Sequence, residues 1–173
     1  REPWTTSDIS ADYAIRGFHN VTLTLRSVNA TSKVLTDLLG YSLVKQEGNI
    51  YRFETDTTEA ANIIDILEDP NAHDGRNAAG TNHHIAFRVK NDDILMEVRE
   101  RVVAAGLSIT PKINRDYFYS LYFREPGGVL FELATDNPGF TVDESLESLG
   151  TALKLPSQYE GMRSKIEAVL PEL

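Results

Sequence analysis

Between Thr81 and Val89 the chain alternates. Ile85, Phe87 and Val89 fall on one side of an extended backbone, and His84, Ala86 and Arg88 fall on the other. This period of two predicts a strand over 82–89 with one apolar face. Gly128 to Ala134 obeys the same rule, with Phe131 and Leu133 on one face and Glu132 on the other. Before these stretches, the spacing predicts strand 18–25, helix 30–39 stopped by Gly40, and strands 41–46, 50–54 and 62–67. From residue 82 the order repeats: strand 82–89, helix 92–105 stopped by Gly106, then strands 107–112, 118–124 and 129–134. Glu47-Gly48-Asn49 and Glu125-Pro-Gly-Gly128 read as turns.

Both halves therefore read strand–helix–strand–strand–strand. Residue matches support the duplication. Phe18-His-Asn-Val-Thr-Leu aligns with Asn82-His-His-Ile-Ala-Phe, Leu38-Leu-Gly-Tyr-Ser-Leu43 with Ala104-Ala-Gly-Leu-Ser-Ile109, and Ile64-Asp-Ile66 with Phe131-Glu-Leu133. A repeat of about 65 residues marks units that each leave an apolar sheet face to be covered. The expected fold class is α+β, with two βαβββ units (17–69 and 81–136) in one domain over 17–140. Residues 1–16 read as a linker or arm, and 141–173 as a helical tail with an amphipathic helix over 159–169. The chain opens on Arg1 and reads as a piece of a longer protein.

Composition narrows the function classes. With 173 residues, the chain is long enough for one domain with a substantial core. A net charge of -9 disfavours nonspecific nucleic-acid binding, which depends on Lys and Arg neutralising phosphates. No apolar run approaches the length of a membrane-spanning helix, and a cytoplasmic location is the expectation. Zero cysteines exclude disulfides, thiolate metal sites and a cysteine nucleophile.

The candidate chemistry lies on the less apolar strand faces. His84 and Glu132 occupy matching ends of the repeat, where the first unit carries Asn20 and Asp65. Imidazole and carboxylate on one surface begin a two-His, one-carboxylate site, which holds Fe(II) with open positions. Tyr122 points to the same side as His84 and Glu132, and Arg115 lies in the loop before its strand. His19 shares a face with Val21, Leu23 and Leu25 and is expected in or near the core. His73 falls in a polar loop and is expected at the surface. No Ser or Thr has a His and an acid at hydrolase spacing.

Together these features resemble the vicinal oxygen chelate superfamily of glyoxalase I, bleomycin-resistance proteins and type I extradiol dioxygenases. Four segments carry a closer resemblance: Arg16-Gly-Phe-His-Asn-Val-Thr-Leu23, Ile66-Leu-Glu-Asp-Pro70, Ser120-Leu-Tyr-Phe-Arg-Glu-Pro-Gly-Gly-Val-Leu-Phe-Glu132 and Asp136-Asn-Pro-Gly-Phe-Thr-Val-Asp-Glu144. They look like the C-terminal half of two-domain ring-cleaving dioxygenases of the hydroquinone type. That resemblance implies a glyoxalase-like domain whose His84 and Glu132 are two of three Fe(II) or Mn(II) ligands. It implies that a missing N-terminal domain supplies the third, a His. It also implies that His83, Tyr122 and Arg115 act on an aromatic diol and O2. The alternatives on the same fold are a metal-free module that binds a small molecule and an isomerase or lyase of the glyoxalase kind. The exposed sheet left by a missing domain leads to the expectation of a homo-oligomer.

Overall fold

The computed structural model describes residues 2, 3, 5 and 8–171. Arg1, Trp4, Thr6, Ser7, Glu172 and Leu173 lie outside the described residues, and with them parts of the expected arm and tail.

The duplication is realised as two four-stranded mixed sheets. The first contains β1 (Asn20–Leu25), β2 (Ser42–Glu47), β3 (Ile50–Glu54) and β4 (Ile63–Glu68) in the order β1-β4-β3-β2. The second contains β5 (Ile85–Val89), β6 (Ile113–Asn114), β7 (Phe118–Arg124) and β8 (Leu130–Pro138) in the order β5-β8-β7-β6. In each, the first strand runs parallel to the fourth and the rest are antiparallel. A parallel neighbour requires a crossover, which the helix in each unit supplies.

In the first unit the helix is α1 (Asn29–Lys33), continued by a π-helical turn over Val34–Leu38. In the second it is α2 (Asp92–Ala104). The Asn91 side chain caps α2 by accepting the Ile94 N–H at 3.1 Å, and Leu95, Val98 and Val102 form its buried stripe. Gly106 ends it with a φ of 79°, a conformation that favours glycine.

The alternating residues go where the pattern puts them. Leu23, Leu25, Phe53, Ile64 and Ile66 of the first sheet and Phe87, Val89, Leu121, Phe123, Phe131 and Leu133 of the second join one continuous core. Tyr41 meets Phe87 edge-on at 6.0 Å across the two units. A polar tie adds to this contact. The buried Glu125 carboxylate accepts the Thr31 hydroxyl at 2.6 Å and the Gly127 and Val129 N–H groups at 2.7 Å each. All these donors are needed, because an unpaired carboxylate at this depth would be strongly destabilising.

Four expectations are revised. Strand 107–112 is replaced by a single bridge from Ile109 to Phe123, and regular pairing starts only at Ile113. Pro111 lacks the N–H that a ladder needs at that point. The strand expected over 82–89 begins at Ile85, so His83 and His84 stand just before it. His19 is exposed and precedes β1 instead of packing in the core. The helix over 159–169 is a 3-10 segment, Ser157–Met162, followed by α3 (Arg163–Glu167). Gly161 weakens the helix in mid-stretch, and neither segment has a buried residue to compensate. His73 is exposed, as expected.

The tie between the units is testable at Gly127. A Cβ there would meet the Thr31 hydroxyl at 2.7 Å, a Glu125 oxygen at 2.9 Å and Leu25 at 3.0 Å. Gly127→Ala should lower the urea unfolding free energy by about 1–3 kcal/mol. Gly75→Ala, which meets nothing within 4 Å, should stay within about 0.5 kcal/mol of the parent.

Candidate metal centre

The parallel register of β5 and β8 sets Ala86 opposite Glu132, and the antiparallel register of β7 and β8 sets Tyr122 opposite Glu132. His84 lies two residues before Ala86, so its side chain leans toward the same face. The result is a close pair: His84 Nε2 is 2.7 Å from Glu132 Oε2. The carboxylate is only 4% exposed, while the imidazole is 34% exposed. Among the described residues, His84 is the one hydrogen-bond or ion-pair partner of the Glu132 side chain.

The other nitrogen of His84 is also engaged, with Nδ1 lying 2.9 Å from Nδ1 of His83. One of these two nitrogens carries the proton and the other accepts it. This contact fixes the orientation of the ring and leaves Nε2 aimed at the carboxylate. The Tyr122 ring packs edge-on to the His84 ring at 5.8 Å. Arg115 Nη2 donates to the Tyr122 hydroxyl at 3.2 Å, and its guanidinium carbon lies 5.5 Å from the Tyr122 ring centre. The five residues expected from the sequence, His83, His84, Arg115, Tyr122 and Glu132, are therefore brought into one chain of contacts.

The donor set fits a divalent metal. Two ligands each about 2.1 Å from an ion, at a right angle, sit about 3.0 Å apart, close to the observed separation. The buried carboxylate also has no fixed cation of its own. His84 and Glu132 would hold such an ion. Among the described residues, no group of three or more His, Cys, Asp or Glu side chains is gathered at any point. Beside His83, a cleft of about 450 Å³ opens between the loop after β4 and the β7–β8 turn, lined in part by Arg26, Arg76 and Arg124.

The family model for the Glyoxalase/Bleomycin resistance protein/Dioxygenase superfamily matches residues 17–133. This chain belongs to that superfamily. Among the relatives of this superfamily member is a Bacillus subtilis protein named "Putative ring-cleaving dioxygenase MhqO". It is 38% identical over 164 residues, covering 95% of this chain and 52% of that protein. A second relative, named chlorohydroquinone/hydroquinone 1,2-dioxygenase, from Sphingobium indicum, is 33% identical over 168 residues, covering 95% of this chain and 52% of that protein. The chain thus spans about half the length of the curated relatives it matches. A crystal structure described as a "putative dioxygenase" from Bacillus subtilis matches with a TM-score of 0.90 at 38% identity, covering 98% of this chain and 54% of that one. The fosfomycin resistance protein FosX from Listeria monocytogenes shares the fold, with a TM-score of 0.56 at 24% identity, covering 70% of this chain and 93% of that one. Among the described residues, no helix of this superfamily member is long and apolar enough to cross a membrane.

The first unit's polar face has a third member that the repeat alignment of Asn20 and Asp65 with His84 and Glu132 does not reveal: Arg52. It forks both Asp65 oxygens, through Nε to Oδ1 at 2.8 Å and Nη2 to Oδ2 at 2.8 Å. The signal was available: Arg52 stands in the third strand of its unit, as Tyr122 does in the second.

The Arg52 guanidinium, helped by Asn20, holds the Asp65 carboxyl below the usual aspartate range against the opposing effect of burial. A depressed folded value contributes stability above the unfolded pKa, and that stability is lost as pH falls through the folded value. Arg52→Met should therefore lower the urea unfolding free energy at neutral pH, and the deficit should narrow once the pH is taken below the ordinary aspartate range. An equal deficit at both pH values would rule out the ion pair as its source.

Proposed function

We propose that this chain is the C-terminal, metal-holding half of an extradiol ring-cleaving dioxygenase acting on a hydroquinone- or catechol-like diol with O2. The observation that carries the proposal is the His84–Glu132 pair: an imidazole nitrogen set against a buried carboxylate with no fixed cation. The names of the half-matched relatives supply the reaction class. Fe(II) or Mn(II) is the proposed ion, and a His from an N-terminal half is the proposed third ligand.

A bound ion of this kind supplies positive charge that favours a deprotonated diol, together with open positions for O2. The chain's own residues do the rest. Glu132 provides the anionic ligand and His84 the neutral one, and His83 holds the His84 ring in place through Nδ1. The Tyr122 hydroxyl accepts from Arg115, so its own hydrogen is free to point at a substrate or product oxygen. Arg115 brings positive charge to a diolate that would otherwise meet a chain of net charge -9. The cleft beside His83, where Arg76 and Arg124 stand together with the ion-paired Arg26 and Asp74, is the route we propose for an anionic aromatic compound. In the overall reaction, both atoms of O2 enter the product as a ring C–C bond beside a hydroxylated carbon breaks, and no outside reductant is consumed.

We further propose that the protein works as an oligomer in the cytoplasm. The outer strand β2 exposes Leu43 at 52% and Val44 at 51%, an apolar edge suited to a partner surface. Solution scattering should then report more than one copy, and a monomer would count against this part of the reading.

The principal test is anaerobic Fe(II) titration of the full-length protein. His84→Ala and Glu132→Ala should each abolish stoichiometric binding and hydroquinone-dependent O2 uptake. Tyr122→Phe should keep its metal and lose roughly 10²-fold in kcat. Unchanged metal binding in both ligand variants would sink the proposal. Saturable hydroquinone binding without any O2 uptake by the metal-loaded protein would favour the metal-free binding module instead.

A further inference from the structure

The two units can be compared position by position through their hydrogen-bond registers. Asp65 faces Thr22 across the parallel pair β1–β4, and Glu132 faces Ala86 across β5–β8. Two residues earlier stand Asn20 and His84 respectively. Across the antiparallel pairs, Asp65 faces Arg52 and Glu132 faces Tyr122. Asn20, Arg52 and Asp65 therefore occupy the same three places in the first unit as His84, Tyr122 and Glu132 in the second.

The carboxylate is kept in both units, but its counter-charge is not. The Asp65 side chain is 6% exposed, close to the 4% of Glu132. Asp65 receives three donors, two from Arg52 at 2.8 Å and Asn20 Nδ2 at 2.5 Å. Among the described residues, Glu132 has only His84. We propose that Asn20, Arg52 and Asp65 are a cation-replaced copy of the candidate metal site, in which the Arg52 guanidinium takes the place that a divalent ion takes in the second unit. This inference rests on the reading of His84 and Glu132 as metal ligands.

The chemistry accounts for the substitution. A guanidinium is permanently charged and planar, and its fork matches both carboxylate oxygens at once. Those oxygens then have no vacancy for a metal. Asn20 turns an N–H toward the carboxylate, and a donor nitrogen has no lone pair to offer an ion. The first unit is thereby closed to divalent cations, and the chain keeps one metal-competent carboxylate of the two created by duplication. Removing Arg52 and placing a His at position 20 should open the site to a divalent cation.

The test uses Mn(II) as the probe and this chain carrying His84→Ala, so that the second unit is silent. Binding is read by titration calorimetry and by the Mn(II)-dependent shift in melting temperature. Adding Asn20→His together with Arg52→Ala should give saturable binding at least about tenfold tighter than the His84→Ala chain alone. Asp65→Asn on top of these changes should abolish the gain. Asn20→His by itself, which retains the Arg52 fork and needs no loss of an ion pair to fold, should gain nothing. The proposal is overturned if Asn20→His alone binds Mn(II) as tightly as the double change, or if Asp65→Asn leaves the gain intact. Failure of the functional reading would show separately: Mn(II) would then bind equally well to the full-length protein and to its His84→Ala variant.

Discussion

A carboxylate buried on a sheet face requires positive charge or several donors, because burial removes the water that would otherwise solvate it. This constraint organises the polar side of both sheets. At Asp65 it is met within the chain by Arg52 and Asn20. At Glu132, among the described residues, it is met only by His84, through one nitrogen at 2.7 Å. The difference between the closed cluster at Asp65 and the open pair proposed to hold a metal at Glu132 comes down to the side chains at two positions around an acid present in both units.

Holding such a pair in place requires a rigid support. The faces opposite the polar clusters carry Ile64, Ile66, Phe131 and Leu133, all at most 2% exposed, so each acid is flanked in sequence by core side chains. The strand pleat then leaves the acid no alternative direction. The units are tied to one another by the Tyr41–Phe87 contact and by Glu125, whose carboxylate gathers Thr31 from the first unit and the Gly127 and Val129 N–H groups of its own turn. The β7–β8 turn that this carboxylate organises leads directly into the strand that presents Glu132.

Superfamily membership and the local chemistry support each other without being equivalent. The fold hosts several reactions, so fold alone does not choose among them. What narrows the choice is the inventory on the second sheet: a His–carboxylate pair, a neighbouring His that orients it, and a tyrosine under an arginine. The first sheet, built on the same register, carries Asn20 and Arg52 where the second carries His84 and Tyr122. Duplication supplied two equivalent frames, and the groups proposed to ligate a metal and handle protons stand on the second.

The sequence by itself determined the strand–helix–strand order of both halves and the inward and outward faces of their strands, with His84, Tyr122 and Glu132 on the polar side; His83 and Arg115 entered through the family resemblance. The faces follow from a period of two along each strand and from the internal match between the halves, both of which are local or nearly local properties. It did not show that the segment after α2 makes one bridge at Ile109 and withholds regular strand pairing until Ile113, although Pro111 carried that signal. Nor did it place His19 in solvent, because alternation cannot tell where along its pattern a strand begins to pair. Only the tertiary structure decided which polar groups meet. Arg52 joins Asp65 from 13 residues away, His84 joins Glu132 from the far strand of a crossover, and Thr31 reaches Glu125 across 94 residues. Such pairings depend on register and on the packing of one unit against the other, which no single stretch of sequence contains.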